Sequence, residues 1–363
     1  MRVLVVNAGS STLKLSLLGD DDALLGGREL EAPRGVVPEE ELIGAISVLG
    51  PPDAIGHRIV HGGNRFTEAT LIDPGVVAAL HGLTELAPLH QPKSLAALEA
   101  VERALPDVPA VACFDTAFHA RMPAAAATYA LPAPWRERWG LRRYGFHGLS
   151  HAYVARRAVE LAGGAPLGLR VVSCHLGAGA SLCAIQDGRS LDTTMGFTPL
   201  EGLVMATRSG SVDPGLLLWL LERERLSEPE LAAKLEHESG LLGLAGTANM
   251  REVLEAEERG DQRAQLAVAT YLHRLRAGIA SMAASLAGLD LLVFTGGVGE
   301  NAMALRTRAA DALDFLGVAI DDAANAAQGH ERELTAPGAT VRTFVIQARE
   351  DLEIARQVRA IVG

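Results

Sequence analysis

At 363 residues, 48% hydrophobic and 21% charged, the chain has the make-up of a soluble globular protein long enough for two domains with their own cores. A formal net charge of -11 excludes a general nucleic-acid or anionic-membrane surface, so an anionic ligand must be held locally by Arg, His and backbone N–H groups. Cys113, Cys174 and Cys183 show no C-x-x-C spacing and sit in apolar, strand-like runs, as inert thiols in a reducing cytoplasm do.

The opening MRVLVVNAG runs straight into a strand pattern without a secretory signal. The longest uncharged apolar stretch, between Arg276 and Asp290, is too short to span a bilayer. A cytoplasmic protein with neither a membrane nor a nucleic-acid partner is expected. Residues 3–6 (VLVV) read as a buried strand, followed by the polar turn Asn7-Ala8-Gly9-Ser10-Ser11-Thr12 and a second strand over 13–18. The same succession recurs at 171–188. There Val171–Val172 meet His175, Gly177 and Gly179, and the run 181–186 folds back through Asp187-Gly188. Laying Val3 on Val171 puts Asn7 on His175 and Gly9 on Gly177, which suggests two domains of related fold, each opening with a hairpin. Such small polar turns expose N–H groups suited to phosphate oxygens. Coincidence, and ordinary surface hairpins, are the alternatives.

Ala54–His61 reads as a strand whose Arg58, flanked by Ile55, Ile59 and Val60, faces a cleft rather than solvent. Helical patterns follow at about 74–86 and 93–105, separated by the rigid loop Pro88-Leu89-His90-Gln91-Pro92. A strand over 108–114 delivers Asp115-Thr116 at its C-terminal end, where ligand-facing residues collect in α/β sheets. Ser150 is placed as the cap of the next helix, which leaves His147 near that helix's positive end.

In the second half a Gly/Pro-broken loop carries Glu201 and leads to Thr207-Arg208-Ser209-Gly210. Asp213-Pro214 reads as an N-cap and first helical residue, and Ser227-x-x-Glu230 as a capping box whose helix ends near Gly240. Val268, Leu272, Leu275, Ile279, Met282 and Leu286 form the core stripe of a helix over 262–287. A strand at 291–294 feeds the glycine loop 296–299, a weak nucleotide signal by itself. The last strand, 341–346, delivers Arg349-Glu350-Asp351 to a terminal helix. Strands and helices alternating in both halves predict a two-domain α/β fold with a cleft.

Seven motifs in one order carry a resemblance: NAGSSTLK (7–14), GHRIVHGG (56–63), CFDTAFH (113–119), RRYGFHGLSH (142–151), CHLGAGASL (174–182), DTTMGFTPLEGLVMATRSGSVDPG (192–215) and FTGGVGEN (294–301). Nearly end to end, the chain resembles the acetate and propionate kinases, within the superfamily of sugar kinases, actin and heat-shock ATPases. The resemblance implies an α/β, two-domain duplicated actin-like ATPase (ribonuclease H-like) fold with an interdomain active-site cleft. It assigns 1–118 plus 351–363 to an N-terminal acyl-kinase domain and 119–350 to a C-terminal nucleotide-binding domain. The implied reaction is reversible, Mg²⁺-dependent transfer of the ATP γ-phosphoryl group to acetate, giving acetyl phosphate and ADP. Propionate or another short-chain acid is the alternative acceptor, Mn²⁺ an alternative metal, and a homodimer the implied assembly.

By the same resemblance Arg58 and Arg208 clamp the carboxylate and the transferring phosphoryl, a task suited to a planar fork of donors. His147 is the transition-state donor. Asp115 orients an Arg or the metal, since an acetate ion has no proton to remove. Val60, Leu89, Phe146 and Pro199 wall the acyl methyl group, and His90 and His175 are further active-site histidines. Lys14, His175, Gly177, Gly179, Asn249, Arg251, Gly297, Val298 and Asn301 fall on the phosphate and adenine side. Asn7 and Glu350 match the Mg²⁺ ligands, hard oxygens for a hard cation. Ala178, Gln91, Arg349 and Asn249 depart from the family pattern and bear on acyl and nucleotide preference. A nucleotide-switched scaffold has no use for paired arginines beside an apolar wall. A Ser–His hydrolase needs a Gly-x-Ser-x-Gly elbow, which the sequence lacks.

Overall fold

The computed structural model describes residues 1–9, 12–32, 37–87, 91–164, 168–329 and 331–363. Leu89 and His90 lie outside them. The chain divides into two compact units: Met1–Ala120 with Phe146–Tyr153 and Arg349–Gly363, and Arg121–Gly145 with Val154–Ala348. The segment 146–153 thus clusters with the first unit, although it lies inside the 119–350 stretch assigned from sequence to the second domain.

The first unit holds β1 (Val3–Ala8), β2 (Thr12–Leu18), β3 (Leu24–Glu31), β4 (Ala54–Ile59), β5 (Thr70–Leu71) and β6 (Ala110–Phe114), ordered β3-β2-β1-β4-β6-β5. The second holds β7 (Arg170–Leu176), β8 (Ala180–Gln186), β9 (Arg189–Thr193), β10 (Leu291–Thr295), β11 (Glu331–Glu333) and β12 (Arg342–Ile346), ordered β9-β8-β7-β10-β12-β11. These are one topology used twice. In each sheet three strands run parallel (β1, β4, β6 and β7, β10, β12), and the hairpin strands and the far edge run antiparallel. Register agrees as well: Val3 lies opposite Ala54 and Leu18, and Val171 opposite Leu291 and Ile185. Asn7 and His175 are therefore equivalent, and the second hairpin's connection is one residue shorter.

A central parallel strand is covered on both faces and so reads as a continuous apolar run. In β1, Leu4 and Val6 enter one core with Leu42, Ile46 and Val101 from the helices Glu39–Leu49 and Gln91–Ala104. Val3 and Val5 point the other way, into a core with Ile354 and Val358 of the helix Glu350–Val362. That helix rests directly on β4, because a Cβ on Gly56 would lie 2.4 Å from Ile354 Cγ2. In the second unit the stripe from Val268 to Met282 is buried along the helix Gln262–Ser285, capped by Asp261. Asp213 and the Ser227/Glu230 box cap their helices as the sequence requires. Asp187 and Gly188, at φ 51° and 71°, form the two-residue turn between β8 and β9.

Several boundaries differ from expectation. β4 stops at Ile59, so Val60 and His61 lie past the strand. The helix from Pro74 ends at His81, with a 3₁₀ turn at Thr84–Leu86. The helix from Glu228 ends at His237, and a separate short helix covers Gly240–Ala245. No helix among the described residues is long and apolar enough to cross a membrane.

Candidate active site

Three parallel strands end side by side in the first unit, and their C-terminal ends bring Asn7, Arg58 and Asp115 together. β1 and β4 pair through Val6 and His57, so the next residues, Asn7 and Arg58, are neighbours. Asp115 follows β6 and donates its N–H to the Ile59 carbonyl at 3.0 Å. Arg58 Nη2 donates to Asp115 Oδ2 at 2.7 Å and Nε to Asp115 Oδ1 at 3.1 Å, a bidentate grip. Its Nη1 donates to Asn7 Oδ1 at 3.1 Å and lies 3.6 Å from Glu350 Oε2. Asn7 Nδ2 donates to the same Glu350 oxygen at 3.0 Å. Burial works against the Arg58 charge, but Asp115 and Glu350 outweigh it and hold its pKa above the ordinary value. For Asp115 burial pushes the carboxyl above the usual carboxylate range, Arg58 opposes, and Glu350 adds to the push.

The fold, not the sequence, sets His147 beside this cluster, since the next residue bonds the Asp115 carbonyl. Its φ of 57° is left-handed, uncommon for a residue with a side chain. The following helix, Gly148–Leu161, starts two residues earlier than Ser150, so Ser150 is a buried first-turn residue and not the cap. His147 takes that place: its carbonyl accepts the first helical bond, from His151 N at 2.9 Å. Gly148 N donates to the Asp115 carbonyl at 2.9 Å. Phe146 is buried, edge-on to the His61 ring at 5.5 Å, and Val60 is buried nearby in the chain. Lys14, also in this unit, is exposed and 3.7 Å from Glu29. It shares the sheet face of its cross-strand partner Asn7.

In the second unit the Gly-x-Gly turn and the Arg208 loop are stitched together. Gly177 N donates to Gly179 O at 2.9 Å, and Ala206 N to Ala178 O at 3.0 Å. His175 is the penultimate residue of β7, just before this turn, and pairs with Thr295 of β10. Arg208 Nε meets Glu236 Oε2 at 3.2 Å, and its Nη1 donates to the Pro199 carbonyl at 3.1 Å. Burial lowers the Arg208 pKa against the pull of Glu236. Gly240, at φ 61°, lets the chain pass under the loop; a Cβ there would lie 2.2 Å from Met205 O. The Pro199 segment is held from behind by Arg143, which bonds Thr194 O, Met195 O and Glu201, while Tyr129 bonds Glu201 at 2.6 Å.

Residues 296–301 are not a loop. Only Gly296 is left-handed, at φ 77° and close against Leu176, and Gly296–Asn301 is a helix turn carrying Gly297, Val298 and Asn301. Glu300 Oε1 ties it down by accepting from Gly296 N and Ala348 N, both at 2.9 Å. Asn249 caps the helix Met250–Glu258, and Arg251 is exposed at its first turn. Glu236, Arg143 and Tyr129 are the contributors that sequence reasoning missed. Arg143 lies inside a quoted motif, whereas nothing about Glu236 distinguishes it from other helix-surface acids.

Among the described residues no group of three or more His, Cys, Asp or Glu forms a metal cage. Asn7 and Glu350 are instead a sparse pair of hard oxygen donors. Such a pair fits Mg²⁺, which keeps waters and phosphate oxygens for its other positions.

The acetokinase family model matches residues 46–356. An acetate kinase from Acetivibrio thermocellus is 42% identical, covering 100% of this chain and 99% of its own. One from Methanosarcina acetivorans is 41% identical, covering 99% and 97%. A solved Porphyromonas gingivalis acetate kinase superposes with a TM-score of 0.91 at 36% identity over 100% of both chains. A propionate kinase from Francisella tularensis gives 0.91 at 33% identity over 99% of both. The repeated six-stranded topology is thus that of these kinases, and the chain belongs to the acetokinase family, phosphotransferases with a carboxyl group as acceptor.

Proposed function

We propose that the chain catalyses reversible, Mg²⁺-dependent transfer of the ATP γ-phosphoryl group to acetate. The observation that carries this reading is Arg58, fixed by Asp115 on one edge and Asn7 on the other, at the ends of three parallel strands. An arginine held in this way is preorganised, so it loses little entropy when it binds an anion. The acceptor carboxylate is already ionised, so no base is needed. Asp115 accordingly orients Arg58 and takes no proton. Arg58 holds the acid, and His147, at a positive helix end, donates to the transferring phosphoryl. Arg208 supplies the second guanidinium. Asn7 and Glu350 would hold Mg²⁺, which supplies charge neutralisation on the phosphate oxygens. His175, the Gly177–Gly179 turn, Lys14, and the Asn249, Arg251, Gly297, Val298 and Asn301 positions serve the nucleotide.

Val60, Phe146 and Pro199 carry no charge, so propionate is a second acceptor; one methylene in such a wall is worth about 1–3 kcal/mol. The assembly is a homodimer in the cytoplasm. In support, the helix Pro214–Arg223 has no buried residue and exposes Leu218 and Trp219, and Cys113, Cys174 and Cys183 are buried thiols rather than disulfides. A monomer mass in sedimentation equilibrium would contradict the dimer. Arg58→Ala and Arg208→Ala should each lose at least about 3 kcal/mol of transition-state stabilisation in kcat/KM, with the larger rise in acid KM for Arg58. Near wild-type turnover by either folded variant contradicts its assignment.

A further inference from the structure

His119 ends the run Asp115-Thr116-Ala117-Phe118-His119 and is fully buried, so it touches no substrate. Its Nε2 lies 3.0 Å from the Phe146 carbonyl oxygen. A carbonyl only accepts, so Nε2 carries the hydrogen and the tautomer is fixed. Burial pulls its pKa down to about 4, which keeps the ring a neutral donor at physiological pH. The rings of Phe118 and His151 stand edge-on to it at 5.5 and 5.8 Å and hold its plane.

The same run makes a second bond to the same place, from Gly148 N to Asp115 O at 2.9 Å. The peptides on both sides of His147 are thereby clipped to one five-residue stretch. Between the two bonds lies His147 at φ 57°. A left-handed non-glycine residue persists only where its surroundings over-determine it. Removing the His119 bond takes away one of the two ties on the peptides that flank His147.

We propose that His119 is a positioning residue for His147: its Nε2–H, bonded to the Phe146 carbonyl, aims the His147 ring without touching the reacting groups. This inference rests on the reading of His147 as the phosphoryl donor. The test is steady-state kinetics of His119→Phe, His119→Gln, His147→Ala and the His119→Phe/His147→Ala double variant. His119→Phe should lower kcat about 10- to 100-fold, the scale of a misdirected group, with both KM values within about 3-fold. His119→Gln, whose amide N–H reaches the same carbonyl, should recover kcat to within about 5-fold of wild type. In the His147→Ala background His119→Phe should cost no more than about 2-fold further, as residues acting through one another are non-additive. Wild-type kcat in His119→Phe, no rescue by glutamine, or losses that multiply in the double variant each overturn the proposal. If His119→Phe does not fold, His119→Asn, too short for the carbonyl, takes its place with the same expectations. His147→Ala with wild-type kcat removes the donor reading and the positioning role together. An impaired His147→Ala beside an intact His119→Phe removes the positioning role alone.

Discussion

Gly148 has no room for a side chain: a Cβ would lie 2.2 Å from the Asp115 carbonyl oxygen and 2.8 Å from Phe118 Cβ. Gly148→Ala must therefore lift the helix start off the strand end and separate His147 from Asp115. Overpacking of this kind costs about 1–3 kcal/mol, and turnover should fall with stability. Urea melting and kcat of the variant check this, and wild-type values in both would show that the close approach is dispensable. At this scale the sequence was informative where a residue's type conflicts with its setting. Arg58 in an apolar run and Asp115 just past a buried strand were readable as candidate site residues for that reason, and the fold brings them into contact. Glu236 was not, because an acid on a helix surface is ordinary until the fold sets it against Arg208. Ser150 misled because a serine before an apolar run is a good cap, yet His147 in a left-handed conformation took that role.

The repeated hairpin was legible because β-branched runs around small polar turns set both strand and register, and Val3 and Val171 proved equivalent. The parallel strand ends that gather Asn7, Arg58 and Asp115 followed from the same pattern. Boundaries were less legible. β4 ends at Ile59 although Val60 and His61 prolong its apolar run, since pairing with β6 stops at Phe114. The glycines at 296–299 look like a flexible loop in sequence. The structure instead uses one left-handed glycine at Gly296 to bring a helix turn down onto β7, held by Glu300. That is tertiary contact, which local propensity does not encode.

The first unit buries His57, His61 and His119, whose pKa values burial lowers to about 3, 4 and 4. Unfolded, each titrates near the ordinary histidine value of 6.5, so between there and about 4 the unfolded chain binds more protons. Their contribution to stability is therefore present above about pH 6.5 and lost as pH falls towards the folded values, by up to about 1.4 kcal/mol per histidine per pH unit. The melting temperature should fall steadily from pH 7 to 5, and a flat profile would contradict neutral buried histidines. The central claim is that the whole molecule makes an acyl phosphate. It is tested most directly by incubating the full-length protein with ATP, acetate and Mg²⁺ in hydroxylamine, measuring hydroxamate and ADP together. Equal amounts of both are predicted, dependent on acetate, abolished by chelation and restored by excess Mg²⁺. ADP without hydroxamate, or unconsumed ATP from folded protein, would contradict it.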